Sequence, residues 1–127
     1  MTNPDSAEAE FLAQAEEALE DAEILIEKER FAGSINRAYY AAFYSACALL
    51  DSVGLKSNSH QAAIALLHRD FVRSERLDRK LMQAYTRLFE ARMSGDYGPF
   101  SAATAQLAQS SLETARNFSK AVQAILS

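Results

Sequence analysis

Residues 34–54, SINRAYYAAFYSACALLDSVG, restrict the fold more than any other stretch of the chain. No glycine or proline interrupts them before Gly54, and Arg37 is their one charged side chain before Asp51. Read as a helix, Ile35, Tyr39, Ala42, Ala46, Leu49 and Val53 form one stripe, and Arg37, Tyr40, Ala41, Tyr44 and Ala48 form a second. A helix that is apolar on several sides must be covered on several sides, which predicts a central helix wrapped by others. The second stripe is not ordinary core, because it carries a cation and two phenols. A cation near a helix N-terminus opposes the helix dipole, so stability alone explains Arg37 poorly. Arg37, Tyr40 and Tyr44 are expected to line a semi-buried polar seam that faces a second subunit or a shared cleft. In the competing expectation, Arg37 reaches solvent or pairs with a glutamate of the preceding helix.

The flanking sequence supplies the covering helices. Asp5 with Glu8 makes a capping-box-like start, with Ser6 as the alternative cap, and Phe11, Ala15, Ala18, Ala22 and Leu25 keep helical spacing. That helix is expected to end near Arg30, with a turn at Gly33 and with Ser34 capping the central helix. Ser59 is the expected cap of a third helix from about His60 to Val72, which buries Ala63, Leu66 or Leu67, and Phe71. A fourth follows with Leu77, Leu81, Ala84, Leu88 and Ala91 in period, and MSGDYGP breaks it. A fifth starts near Ser101 and runs through Leu107, Ser111, Phe118, Val122 and Ile125. No alternating segment is long enough for a strand. The expected architecture is all-α: a single domain over residues 1–127, folded as an antiparallel bundle of about five helices.

Other expectations follow from what the chain lacks. No run approaches the roughly 18 apolar residues of a membrane span. The acidic, polar start MTNPDSAEAE does not read as a signal or transit peptide, and the single Cys47 has no internal disulfide partner. A cytoplasmic protein is expected. The net charge of −4 argues against bulk electrostatic binding of nucleic acid. The charge is uneven, however: Lys28 is the only cation in residues 8–29, whereas residues 69–92 hold six Arg and one Lys against four acids. Phosphate loops, H-E-x-x-H pairs, C-x-x-C pairs and nucleophile elbows are absent. His60 and His68, about two helical turns or ~12 Å apart, cannot share a metal. Neither a metal nor a cofactor is expected.

The segments NRAYYAAFYSACALL, KSNSHQAAIALLHRDFV and RLFEARMSGDYG resemble the HEPN domain superfamily, in its compact single-domain prokaryotic branch. The matching positions are Arg37 to Ala41, His60, and Arg92 with Asp96 and Tyr97, in the family's order over roughly residues 10–125. The resemblance implies a helical bundle, commonly a homodimer, associated with a nucleotide or RNA. It is often paired with a small nucleotidyltransferase in a toxin–antitoxin system. Active members resemble metal-independent endoribonucleases that carry an arginine, then four to six intervening residues, then a histidine. This chain departs there, because Asp96 or Tyr97 stands where the histidine would follow Arg92. Arg92 could bind phosphate in a bidentate manner, but Asp96 accepts a proton only weakly and Tyr97, with an ordinary pKa near ~10, is a poor base.

The expected ligand-binding set is Arg37, Tyr40, Tyr44, Arg92, Asp96, Tyr97 and His60, and the candidates for catalysis are Arg92, Asp96 and Tyr97. Against these roles stand simpler ones. Arg92 would favour the dipole at a helix end, Asp96 would open a turn, and His60 would close a loop. The expected function is a binding module acting with a nucleotidyltransferase. The alternatives are an endoribonuclease with a non-standard site, or a purely structural helical dimer.

Overall fold

The computed structural model describes residues 6–97 and 103–127, without the side chains of residues 94–97. Five helices make an all-α bundle: α1 (Ala7–Glu27), α2 (Phe31–Asp51), α3 (His60–Leu67), α4 (Arg79–Tyr97) and α5 (Ala105–Leu126). A single π-helical turn, His68–Val72, continues α3. No strand occurs among the described residues, and no helix there is long and apolar enough to cross a membrane.

Hydroxyl caps set three of the helix starts. Ser6, Ser59 and Thr104 accept hydrogen bonds from the amides of Ala9, Ala62 and Leu107, at 3.1, 3.0 and 3.1 Å. Such caps stabilise a helix by about 1 kcal/mol each. Ser6 and Ser59 match expectation, whereas Asp5 and Ser101 lie outside the described residues, and α5 begins at Ala105.

The α1–α2 joint differs from the expected turn at Gly33. The reversal occupies Lys28–Arg30, where Glu29 takes φ 58° and the Arg30 amide donates to the Leu25 carbonyl at 2.8 Å. A left-handed glutamate costs about 1–2 kcal/mol, so nothing in its side chain announces the turn. Helix α2 therefore starts at Phe31 and contains both Gly33 and Ser34. Ser34 is not a cap: fully buried, its hydroxyl donates to the Ala22 carbonyl at 2.7 Å and ties α2 to α1. A Cβ at Gly33 would touch the Leu25 side chain at 3.4 Å, so the helices run close together here.

The central position of α2 holds, since it packs against all four other helices. Ile35, Ala38, Tyr39, Ala42, Ala46, Leu49 and Leu50 are essentially inaccessible. The small residues Ala15, Ala18 and Ala22 let α1 approach, while Leu112, Phe118 and Val122 of α5 close another side. Each large side chain removed from water contributes about 1.5–3 kcal/mol. Val53 departs from the first stripe and is 45% exposed, because α2 ends at Asp51 and Gly54, at φ 77°, redirects the chain.

Helix α4 also corrects the reading. Its innermost residues are Met82, Tyr85 and Leu88, following a buried Leu77, while Leu81, Ala84 and Ala91 are half-buried. Its described part runs through Gly95 to Tyr97, inside the MSGDYGP segment expected to break it. A helical glycine costs only about 1 kcal/mol, which tertiary packing overrides.

Candidate functional site

Three elements meet on the side of α2 that carries its second stripe: α2 itself, the first turn of α3 and the C-terminal half of α4. The Tyr40 ring is their common point. The Arg37 guanidinium carbon lies 5.1 Å from its centroid, and that of Arg92 lies 5.2 Å away. Both distances are within cation–π range. Arg92 also sits 5.5 Å from the Tyr39 ring, and its Nε donates to Asn36 Oδ1 at 3.1 Å. Its Nη2 approaches the Tyr40 hydroxyl at 3.4 Å. The spacing of α2 explains this grip, because Asn36 and Tyr40 are one turn apart and present an amide and a phenol to the same neighbour.

Arg37 lies in the seam over the Tyr40 ring, and the dipole argument raised against it falls away. With α2 starting at Phe31, the residue lies beyond the first turn. Among the described residues it forms no ion pair with α1, and its buried Nε has no hydrogen-bond partner. A buried, unsatisfied guanidinium N–H is costly, which makes Arg37 a donor in want of an acceptor.

His60 joins the seam from α3. Its Nδ1 meets the Tyr39 hydroxyl at 2.6 Å, and its ring packs 4.5 Å from Phe43, 5.9 Å from Tyr40 and 6.1 Å from Phe89. Desolvation first, and the Arg92 charge second, hold its pKa below the ordinary 6.5. Burial pushes the Tyr39 phenol up to about 12, against smaller downward pulls from Tyr85 and Arg92. Both groups are therefore neutral. Since the Tyr39 hydroxyl has no other hydrogen-bond acceptor among the described residues, Tyr39 is assigned as donor to Nδ1, with the ring hydrogen on Nε2. Behind Tyr39, the Tyr85 phenol is raised well above 10, chiefly by burial. Its hydroxyl makes no hydrogen bond among the described residues, although it lies close enough to Tyr39 that each shifts the other.

Tyr44 extends the aromatic strip, 5.8 Å from Tyr40 and half-buried. Five of the seven expected residues, Arg37, Tyr40, Tyr44, His60 and Arg92, thus belong to one cluster. Asp96 and Tyr97 fall in the last turn of α4, and their side chains lie outside the described residues. Sequence reasoning missed three members. Tyr39 was assigned to the core stripe, Phe43 to neither stripe, and Asn36 was not linked to Arg92. The i, i+4 relation of Asn36 to Tyr40 was the available signal for the last.

The chain matches the profile described as "HEPN domain" over residues 9–125. It belongs to the HEPN family. Among HEPN relatives, it is 41% identical over 85 residues to a "UPF0332 protein" of Thermotoga maritima, covering 67% of this chain and 64% of that one. A second "UPF0332 protein", from Gloeobacter violaceus, is 34% identical over 89 residues, 70% of this chain and 71% of the relative. A protein of Methanocaldococcus jannaschii named "Putative toxin" is 34% identical over 83 residues, 65% of this chain and 62% of the relative. The chain thus spans less than two thirds of the Thermotoga and Methanocaldococcus relatives it matches. The HEPN match takes in every residue of the seam, from Asn36 to Arg92.

Proposed function

We propose that this HEPN chain is a toxin-type module that binds a nucleotide or short single-stranded RNA through the Arg37–Tyr40–Arg92 seam. The observation that carries the reading is the convergence of two guanidiniums on one tyrosine ring, one of them with a buried, unpartnered Nε. A phosphate there would take charge-assisted hydrogen bonds from Arg37 and Arg92. A base could stack on the Tyr40–Tyr44 strip, an interaction worth about 1–3 kcal/mol. Relatives named as toxins agree with the module's class, and the family's habits favour a cytoplasmic homodimer acting with a small nucleotidyltransferase. In that dimer the second side of α2 meets its copy, which sedimentation at micromolar concentration tests.

The binding experiment uses AMP and a short RNA, in chelator, at several salt concentrations. With two cations on phosphate, log K should fall with log salt at a slope of about −1 to −2. Arg92→Ala should weaken binding while the helical spectrum stays intact. Unchanged affinity in that variant would sink the reading. A second reading, metal-independent RNA cleavage, draws on the arrival of His60 beside Arg92. An imidazole kept neutral, as burial and Arg92 keep His60, is able to serve as a general base. Chelator-resistant cleavage that is lost in Arg92→Ala would promote it over simple binding.

A further inference from the structure

The seam contains a histidine whose hydrogen-bond polarity can reverse. In the neutral state the Tyr39 hydroxyl donates to His60 Nδ1 at 2.6 Å. If a proton arrives at Nδ1, that nitrogen becomes the donor and the Tyr39 oxygen must accept. The Tyr39 hydrogen then needs a new acceptor on the inner side of the ring. Tyr85 offers one, since its fully buried hydroxyl makes no hydrogen bond among the described residues, and the two rings lie 6.1 Å apart. Accommodating the protonated imidazole therefore requires the Tyr39 hydrogen to swing inward and the two hydroxyls to draw closer together.

We propose, resting on the anion-binding reading above, that the seam is a proton-linked site: a dianion held by Arg37 and Arg92 enters together with one proton taken up at His60 Nδ1. The reason is charge. Around His60, α2 presents Tyr39 and Tyr40, with Arg37 beyond Tyr40, and α4 presents Arg92 with Tyr85 behind Tyr39. The Cys47 thiol of α2, pushed up to about 11 by burial, stays neutral behind them. In the free protein Arg92 repels a third cation and burial disfavours it, so the imidazole stays neutral. A dianion in the seam reverses that balance, and protonation of His60 then strengthens its hold. Linkage makes the two effects equal: anion binding raises proton affinity by the factor by which protonation raises anion affinity. No bond other than the imidazole N–H forms, and the proton comes from solvent.

Sulfate is the suitable probe, because it stays a dianion across the range of about pH 5 to 8 in which histidine titrates. Its affinity is measured by NMR titration at constant ionic strength, and the His60 ring signal is followed with and without sulfate. Comparison with His60→Gln assigns that signal. The expected result is a His60 midpoint that moves to higher pH with sulfate, and an affinity that falls by up to about tenfold per pH unit above the free midpoint. His60→Gln should lose the slope, whatever its effect on the affinity at high pH. Sulfate binding without a midpoint change, or a slope that survives His60→Gln, overturns the linkage and leaves the anion site standing. Sulfate, AMP and RNA that all fail to bind, with Arg92→Ala no different, overturn the anion site itself. Because the midpoint is read on the unmodified chain, an unfolded variant would not spare the proposal.

Discussion

Two arginine-bearing faces of the bundle use the same side chain in opposite ways. On the α1–α5 face, Arg116 pairs with Glu23 at 2.9 Å, and both side chains are about half exposed. Glu16, Glu20, Glu27, Glu113 and Lys120 line the same grooves, so the charges there are mixed, solvated and cheap. On the α2–α4 face, Arg37 and Arg92 lie over phenol rings, and Asn36 fixes Arg92 with a neutral amide. The local setting of a guanidinium therefore matters more than the overall charge of −4. A carboxylate settles Arg116, whereas among the described residues Arg37 has a phenol ring beside it and no carboxylate.

The sharpest way to break this comparison is a pair of single substitutions. Arg92→Ala should weaken AMP or short-RNA binding at least tenfold, in line with about 1.5–3 kcal/mol for hydrogen bonds to a charged group. Arg116→Ala should leave binding within about twofold, because an exposed pair contributes only 0–1 kcal/mol. Equal losses in a fluorescence titration would erase the distinction between the faces.

A smaller effect is expected at the polar lining of the seam. Tyr39→Phe keeps the ring but removes the donor to His60, and should cost about 0.5–1.5 kcal/mol of stability in urea unfolding. Tyr85→Phe removes a hydroxyl that forms no hydrogen bond among the described residues, and should be neutral or slightly stabilising. If both substitutions cost the same, Tyr85 has a partner after all.

Acid adds a third contrast. His60 resists protonation when folded, whereas the unfolded chain binds the proton near the ordinary 6.5. Between that value and the lower folded pKa, the unfolded state holds more protons, so the His60 contribution to stability declines as pH falls. It is complete above about pH 6.5. The difference between wild type and His60→Gln in urea midpoints from pH 7.5 to 5 should show this slope, and a flat difference would place His60 in an ordinary environment. The smallest effect belongs to the outer face. A Glu23/Arg116 double-mutant cycle should give a coupling of about 0.2–1 kcal/mol that added salt diminishes. A larger, salt-resistant coupling would mean that this face, too, is organised for more than solvation.

Much of this was legible in the sequence. Helical period and the hydroxyls of Ser6 and Ser59 located the helices, because capping and amphipathicity are local effects. The α1–α2 turn was illegible because Glu29, and not Gly33, takes the left-handed conformation. Ser34 misled for a related reason: a serine before an apolar run reads as a cap, yet this one is buried inside the helix. The depth of α4 slipped from Leu81 and Ala84 to Met82 and Tyr85, since both sets keep helical spacing and only the neighbours decide. Within the site, Arg37, Tyr40 and Tyr44 share one helix and could be grouped from spacing alone. The Tyr39–His60 bond joins residues 21 apart and the Arg92–Asn36 bond joins residues 56 apart, so neither leaves a local trace.

The wide turn after α3 also sets the phase between two ends of one segment. In the π turn the Arg73 amide reaches back to the His68 carbonyl at 3.1 Å, so residues 68–72 hold one residue more than a regular α turn would. Each α-helical residue rotates the chain by about 100°. Straightening the turn into regular α-helix at unchanged chain length would swing Phe71 relative to His60 by roughly that angle, so Phe71 could stay anchored in the core, or His60 beside Tyr39, but not both. Deleting one residue at the turn would instead restore regular α-helix and leave the two ends close to their present phase. The wide turn thus absorbs one extra residue, and a deletion there is expected to be tolerated where the lost side chain is exposed, as at His68 or Arg69.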